Sequence, residues 1–239
     1  ANPVLPNGGH LVDPYLVREI ADRDGNVVYR ATPATVCADC ANEPVQAPPS
    51  ATASGIAALN PIGSANAAPT AAASTQPAPL VLDPRNAYLV TSLMRDVVKR
   101  GTGRAAMVLE RNDLAGKTGS TNDHRDAWFS GFNARLAVSC WVGFDDFSSL
   151  GRGEFGAKAA LPIWIDYMRV ALEGVEEQPF DMPPGIARVR IDPGSGMLAG
   201  AGEGGILEVM KSEDATRLAS MPPPGEEPRG ARGEAYDRF

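Results

Sequence analysis

Lys117-Thr118-Gly119-Ser120, followed by Thr121, places an ammonium, three hydroxyls and a side-chain-free backbone in five consecutive residues. On a strand, Thr118 and Ser120 point to one face, and Lys117 to the other unless the strand twists or lies at a sheet edge. Gly119 lets a ligand or another element approach the main chain. At an edge, unpaired N–H and C=O groups can take up an extended peptide as one more strand. A fixed cation, hydroxyls and free amides together suit binding a carboxylate and stabilising an oxyanion. The segment lacks an attacking group. Serine is a poor nucleophile without an adjacent base, and no serine in the 239 residues is followed three positions on by a lysine. S-x-N occurs at Ser64-Ala65-Asn66 and at Ser120-Thr121-Asn122, and both read as chance.

The elements that must position this segment follow from periodicity. Leu114–Thr121 reads as the strand itself. Ala127–Phe132 and Leu136–Phe144 read as an antiparallel hairpin around Asn133-Ala134-Arg135. Trp128, Phe129, Phe132, Trp141 and Phe144 fall at strand spacing, so most are expected in the core, with Trp128 the candidate for a cleft wall. Upstream, Asp83 is a suitable N-cap with Pro84 at the first helical position. Leu89/Val90, Leu93/Met94 and Val97/Val98 then lay an apolar stripe along a helix. Lys99 and Arg100 suit its negative end, and Gly101 is the expected stop. Residues 156–172 read as one helix with Ile163, Tyr167 and Val170 in phase, closing at Gly174. Ala187, Val189 and Ile191 alternate with Arg188 and Arg190 in a half-buried strand before the Pro193-Gly194-Ser195-Gly196 turn. Residues 7–30 hold two short strands turned at Asp24-Gly25. Together these give an α+β domain with an antiparallel sheet.

The remaining chain reads as connection. Residues 1–30 form a first segment and 31–80 a flexible insertion rich in Ala, Pro, Ser and Thr, with too little apolar bulk to offset its ordering entropy. Residues 81–178 carry K-T-G, 179–220 a strand and extension, and 221–239 a disordered tail. A net charge of −7 and a pI near 4.9 argue against a nucleic-acid surface, which needs clustered Lys and Arg. The longest apolar stretches are too short to span a bilayer. Cys37 and Cys40 form one CxxC, a weak zinc signal; a local disulfide and two free thiols both fit. Cys140 reads as a small buried hydrophobe. Asp123, Asp126, Asp145 and Asp146 lack ligand spacing and read as solvated loops. His10 and His124 are single; His124 borders the K-T-G strand and reads as a loop residue. Arg104 reads equally as a cleft charge or a surface residue, and 173–181 as a solvated linker.

The run "RGTGRAA…AGKTGSTND…DAWFSGF…VSCWVGFDD", continued by "GAKAALPIWIDYM" and "GIARVRIDPGSG" and preceded by "NGGHLVDPYLVREIADRDGNVVYR", resembles the second half of the transpeptidase domain of class A penicillin-binding proteins of the 1A type. The resemblance covers 6–30 and 80–206. It implies a partial serine β-lactamase/penicillin-binding transpeptidase fold, with a five-stranded antiparallel sheet between helices. It also implies a cleft where S-x-x-K, S-x-N and K-[TS]-G meet. Lys117-Thr118-Gly119 matches the third motif. By that likeness Lys117 shapes the potential of the site, the Ser120 N–H completes the oxyanion hole, and its hydroxyl helps hold the substrate carboxylate. Ser120 stands where the family often has threonine, and Thr121 is a further candidate contact.

The two missing motifs precede the "NGG…DPY" segment in that family. The chain therefore reads as a C-terminal piece of a bifunctional peptidoglycan synthase. The nucleophile, its lysine base, a glycosyltransferase domain and an anchor on the periplasmic side of the bacterial inner membrane would lie upstream. The implied partners are D-Ala-D-Ala-ended stem peptides, β-lactams and the upstream part of the same polypeptide, with no metal or organic cofactor. A D,D-carboxypeptidase or β-lactamase of the same fold, and a non-catalytic strand-edge peptide-binding module, stay open as alternatives. The piece alone is expected to fold poorly. With K-T-G but no nucleophile-base pair, it is predicted to form no acyl-enzyme. Incubation with a labelled penicillin, followed by denaturing electrophoresis, should leave it unlabelled; a stoichiometric covalent adduct would refute this.

Overall fold

The computed structural model describes residues 4–36, 76–200 and 204–221. Residues 37–75, with Cys37 and Cys40, and the tail beyond Met221 lie outside the described residues. The chain enters through a hairpin of β1 (Glu19–Ala21) and β2 (Val27–Arg30). Its turn is closed by the Asp22 carboxylate, which accepts the N–H groups of Asp24 and Asn26. Two described parts of the span read as an insertion, 31–36 and 76–80, meet one another. Thr35 donates to the Gln76 carbonyl and accepts from Ala78 N–H, at 3.0 and 2.8 Å, and Ala78 is buried.

Helix α1 spans Pro84–Arg100, with the Asp83 carboxylate accepting from Arg85 N–H. The Arg85 guanidinium folds back on the same carboxylate and, with that N–H, holds it down at about 2. Two features depart from expectation. The buried face is Ala87, Thr91 and Val98, while Val90 and Leu93 of the anticipated stripe are exposed, Leu93 by 64%. The helix packs against β3 (Ala115–Ser120), and small side chains let two backbones approach where a bulky stripe would hold them apart. Gly101 ends the helix in extended conformation (φ −109°), not left-handed. Glycine is required there because a Cβ would lie 2.9 Å from Val97 Cα.

β3 pairs antiparallel with β4 (Asp126–Phe132), and β4 with β5 (Ala137–Gly143), in the order β3-β4-β5. Alternation gives this sheet two unlike faces. Ala127 and Phe129, with Val138, Cys140 and Val142 beside them, face the core. Lys117, Trp128, Ser130, Ser139 and Trp141 face the other way, with Trp128 and Trp141 43% and 45% exposed. Of the five aromatics expected mostly in the core, only Phe129 and Phe132 are buried. Burial pushes the half-buried Cys140 thiol up.

The core forms where this sheet meets α2 (Gly156–Ala159) and α3 (Leu161–Ala171). Phe129 meets Trp164 edge-on, centroids 5.0 Å apart, and Trp164 Nε1 donates to the Val138 carbonyl. The single helix expected over 156–172 is broken at Ala160, with Pro162 in the first turn of α3. Its buried stripe is Leu161, Trp164, Ile165 and Met168, whereas Ile163, Tyr167 and Val170 are exposed. The segment is apolar nearly all round, so spacing alone offers several phases, and the larger Trp/Met/Leu stripe takes the core.

β6 (Ile186–Ile191) pairs with β7 (Ile206–Lys211), followed by α4 (Ser212–Ala219). Neither β7 nor α4 was anticipated from the sequence. Ion pairs Arg85–Glu213 (2.9 Å) and Arg100–Glu208 (3.2 Å) tie this unit to both ends of α1. The described residues thus hold a three-stranded sheet and two separate strand pairs, not five strands in one sheet, because β1–β2 and β6–β7 pair only with each other.

The acid-rich 173–181 stretch is tethered, not a free linker. Arg111 donates to the carbonyls of Val175 and Glu176, and Glu177 accepts from Asn112 N–H. Arg111 is itself bidentate on Asp113, with side chains 11% and 2% exposed. Burial pushes the Asp113 carboxyl up, but the Arg111 bonds, the Gln178 N–H and Asn133 outweigh it and hold it below the usual carboxylate range. A carboxyl lowered in the folded state contributes stability above its unfolded value and loses it as pH falls through the folded one. Removing one partner of such a buried pair leaves the other uncompensated, so Asp113→Ala should cost about 3–5 kcal/mol. The loss of stability on acidification below the usual carboxylate range should be shallower in that variant. Denaturant melts of the full-length protein across this range check both.

Candidate active site

β3 is an edge strand, paired on one side by β4 and by no strand on the other among the described residues. The phase of its ladder follows from one bond: Thr121 N–H donates to the Asp126 carbonyl at 3.1 Å. In an antiparallel pair, hydrogen-bonded and non-hydrogen-bonded positions alternate. Gly119 and Lys117 therefore exchange bonds with their register partners Trp128 and Ser130. The N–H and C=O groups of Thr118 and Ser120 point away from the sheet, along the open edge. The Asn133 N–H bond to the Leu136 carbonyl sets the β4–β5 ladder in the phase this requires.

Lys117 resolves its alternation problem by curling over that edge. Its Nζ donates to the Thr118 carbonyl at 2.8 Å and lies 3.4 Å from Thr118 Oγ1. Thr118 Oγ1 in turn lies 2.9 Å from Thr102 Oγ1, in the loop that follows α1. Ser120 Oγ accepts the Gly156 N–H at 3.0 Å. Ammonium, two hydroxyls and the outward main-chain groups of Thr118 and Ser120, the Thr118 carbonyl held by Lys117, thus share one edge.

Glycine is demanded at the base of this arrangement. A Cβ on Gly156 would lie 2.2 Å from the Trp128 carbonyl oxygen and 2.6 Å from that of Gly119, so α2 lies directly on the β3–β4 ladder. A Cβ on Gly119 would come within 3.1 Å of Trp128 Cβ, so its missing side chain accommodates the fold's own tryptophan before any ligand.

Thr121 leaves the strand. Its hydroxyl accepts Asp126 N–H at 2.8 Å and reaches the Asp126 carboxylate at 3.4 Å. Trp141 Nε1 donates to the other oxygen of that carboxylate at 2.8 Å. Thr121 therefore closes the β3–β4 turn, where Asp123 and His124 adopt left-handed backbone (φ 60° and 52°). Ser149 Oγ and Leu150 N–H hold the carbonyls of those two residues. His124 is half-buried, with Nδ1 enclosed and without a partner. Arg104 is exposed at the start of a 3₁₀ segment, Arg104–Leu109, and Asp145 and Asp146 lie on an exposed loop. His10 bonds the Asn7 carbonyl at 3.0 Å and lines a separate cavity of about 380 Å³ with Leu5, Tyr88 and Phe180.

The structure thus brings Lys117, Thr118, Gly119 and Ser120 together and assigns the Thr121 hydroxyl to the turn. Sequence reasoning missed Thr102 and Gly156. Thr102 stood in the quoted "RGTG" beside Arg104, which drew attention as the charged neighbour. Gly156 opens a helix without a capping side chain, and only the stacked ladder explains it.

Residues 1–144 match the family described as the penicillin binding protein transpeptidase domain. The chain belongs to the penicillin-binding protein transpeptidase family. The transpeptidase segment is 43% identical to penicillin-binding protein 1A of Pseudomonas aeruginosa over 240 residues, covering 94% of this chain and 28% of that protein. It is 37% identical to penicillin-binding protein 1A of Neisseria gonorrhoeae over 186 residues, covering 78% of this chain and 18% of that one. The crystal structure of penicillin-binding protein 1A from Haemophilus influenzae matches with a TM-score of 0.70 and 32% identity, over 87% of this chain and 30% of that one. The transpeptidase segment therefore spans under a third of the length of these relatives. No helix among its described residues is long and apolar enough to cross a membrane.

Gly156→Ala should displace α2 from the ladder and release the Ser120 hydroxyl. Overpacking of this kind costs about 1–3 kcal/mol. Denaturant unfolding of the full-length protein, with protease sensitivity near residue 156, measures both effects.

Proposed function

We propose that this chain supplies the K-T-G wall of a penicillin-sensitive D,D-transpeptidase site in a longer peptidoglycan synthase. The observation that carries the reading is the open edge of β3, where the main-chain groups of Thr118 and Ser120 face outward beside the Lys117 ammonium. A stem peptide ending in D-Ala-D-Ala would add along this edge as an extra strand, its terminal carboxylate drawn to the ammonium and hydroxyls. The Ser120 N–H would stabilise the oxyanion as a serine attacks the penultimate carbonyl. That serine and its base come from upstream polypeptide, since no S-x-x-K exists among the 239 residues. The acyl-enzyme would then pass to an amine of a neighbouring stem, and β-lactams would block the site by acylating the same serine. In this reading Thr121 supports the edge through the turn. A partner glycosyltransferase domain and an anchor on the periplasmic side of the inner membrane belong to the same proposal, by likeness to penicillin-binding protein 1A.

In the full-length protein, wild type should be labelled by a fluorescent penicillin at a serine outside residues 1–239. Lys117→Ala should slow that acylation by at least about a hundredfold, the scale of losing one preorganised electrostatic contact. Unchanged acylation in Lys117→Ala, or no acylation of the wild type, would overturn the reading.

A further inference from the structure

Thr102 belongs to none of the family motifs matched here, yet it reaches the centre of the edge. Its Oγ1 lies 2.9 Å from Thr118 Oγ1, and Lys117 Nζ lies 3.4 Å from that same oxygen. Thr102 is solvent-exposed and is not part of the core cluster.

The direction of these bonds follows from what each group can do. An ammonium only donates, whereas a hydroxyl has one proton and two lone pairs. Lys117 therefore occupies one lone pair of the Thr118 oxygen. Either hydroxyl can donate across the 2.9 Å contact, so the Thr118 proton can turn to Thr102 Oγ1. A carboxylate is acceptor-only and needs that proton for itself. Thr102 can then rotate its own hydroxyl proton onto the second lone pair of Thr118, which becomes fully satisfied: two bonds accepted, one donated outward. No proton changes owner; two hydroxyls rotate. Such a chain strengthens each of its members, because a hydroxyl that accepts donates more strongly.

Ser120 is built the same way. The Gly156 N–H takes one of its two lone pairs at 3.0 Å, and its proton remains available to an outside acceptor. The two hydroxyls of the edge are thus each backed by a donor from a neighbouring element, one from α2 and one from the loop after α1.

We propose that Thr102 is a positioning residue for carboxylate recognition, acting through Thr118 to keep that hydroxyl a donor towards the ligand. This rests on the transpeptidase reading above. The test uses the full-length protein with Thr102→Val, which keeps the shape and removes the hydroxyl, and Thr102→Ser, which keeps the hydroxyl. Second-order acylation rates are measured with a penicillin and with its methyl ester, which lacks the carboxylate charge. Thr102→Val should slow the free acid about five- to tenfold while Thr102→Ser stays within about twofold of wild type, the scale of one supporting hydrogen bond. The loss should lie in pre-acylation affinity, not in the acylation step, and the ester rate should not change. Equal rates for Thr102→Val and wild type would overturn the proposal. So would equal losses in the valine and serine variants, or equal losses on acid and ester, because either pattern marks a purely structural role. A wild type that reacts with neither compound fails at the transpeptidase reading itself, and is told apart by that.

Discussion

An antiparallel ladder has two phases, and the choice between them decides which amides of an edge strand are free. Here the choice is made by the turn between β3 and β4, where Thr121 and Asp126 are bonded through main chain and side chain together. Trp141 steadies the Asp126 carboxylate from the third strand. Shifting this register by one residue would turn Lys117 and Gly119 outward, and Thr118 and Ser120 into the sheet. The Thr102 and Gly156 contacts would then have nothing to meet. The phase of the edge thus depends on a turn that bears no reactive group and that places Asp123 and His124 in left-handed backbone.

The rest of the fold holds that turn and that edge against solvent motion. The core lies on one face of the central sheet, where Phe129 meets Trp164 and α3 covers β4 and β5. α2 lies on the ladder itself, so the strands are braced at the level of Ser120. α1 packs against β3 through small residues and delivers the loop bearing Thr102. The other face carries two half-exposed tryptophans beside Lys117, Ser130 and Ser139. Two large apolar side chains and a polar row thus lie side by side on this face.

Legibility in the sequence followed the range of the interaction. The N-cap of α1, the three central strands and the K-T-G edge were readable because caps, alternation and a short motif are local. Which face of a helix is buried was not. Leu93 and Tyr167 sit on the outside although both lie in plausible stripes, because contact with β3 selected Ala87 and Thr91, and contact with Phe129 selected Trp164. The role of Gly156 is a matter of ångströms between elements far apart in sequence, and no pattern of residue types encodes it. β7 and α4 escaped because the six residues of β7 show no clean alternation of apolar and polar character, and because α4 buries nothing fully.

An open strand edge is also a hazard, since any extended chain can pair with it. Lys117 changes what kind of chain gains by doing so. With its ammonium on the Thr118 carbonyl, one of the free acceptors is already satisfied and a full charge sits on the rim. A neutral or cationic strand would have to displace that contact and desolvate the charge. A chain bearing a terminal anion brings a better partner for the ammonium and frees the carbonyl as it docks. On the proposed reading, one lysine would act as a doorkeeper, disfavouring indiscriminate self-association at the edge while leaving it open to acids.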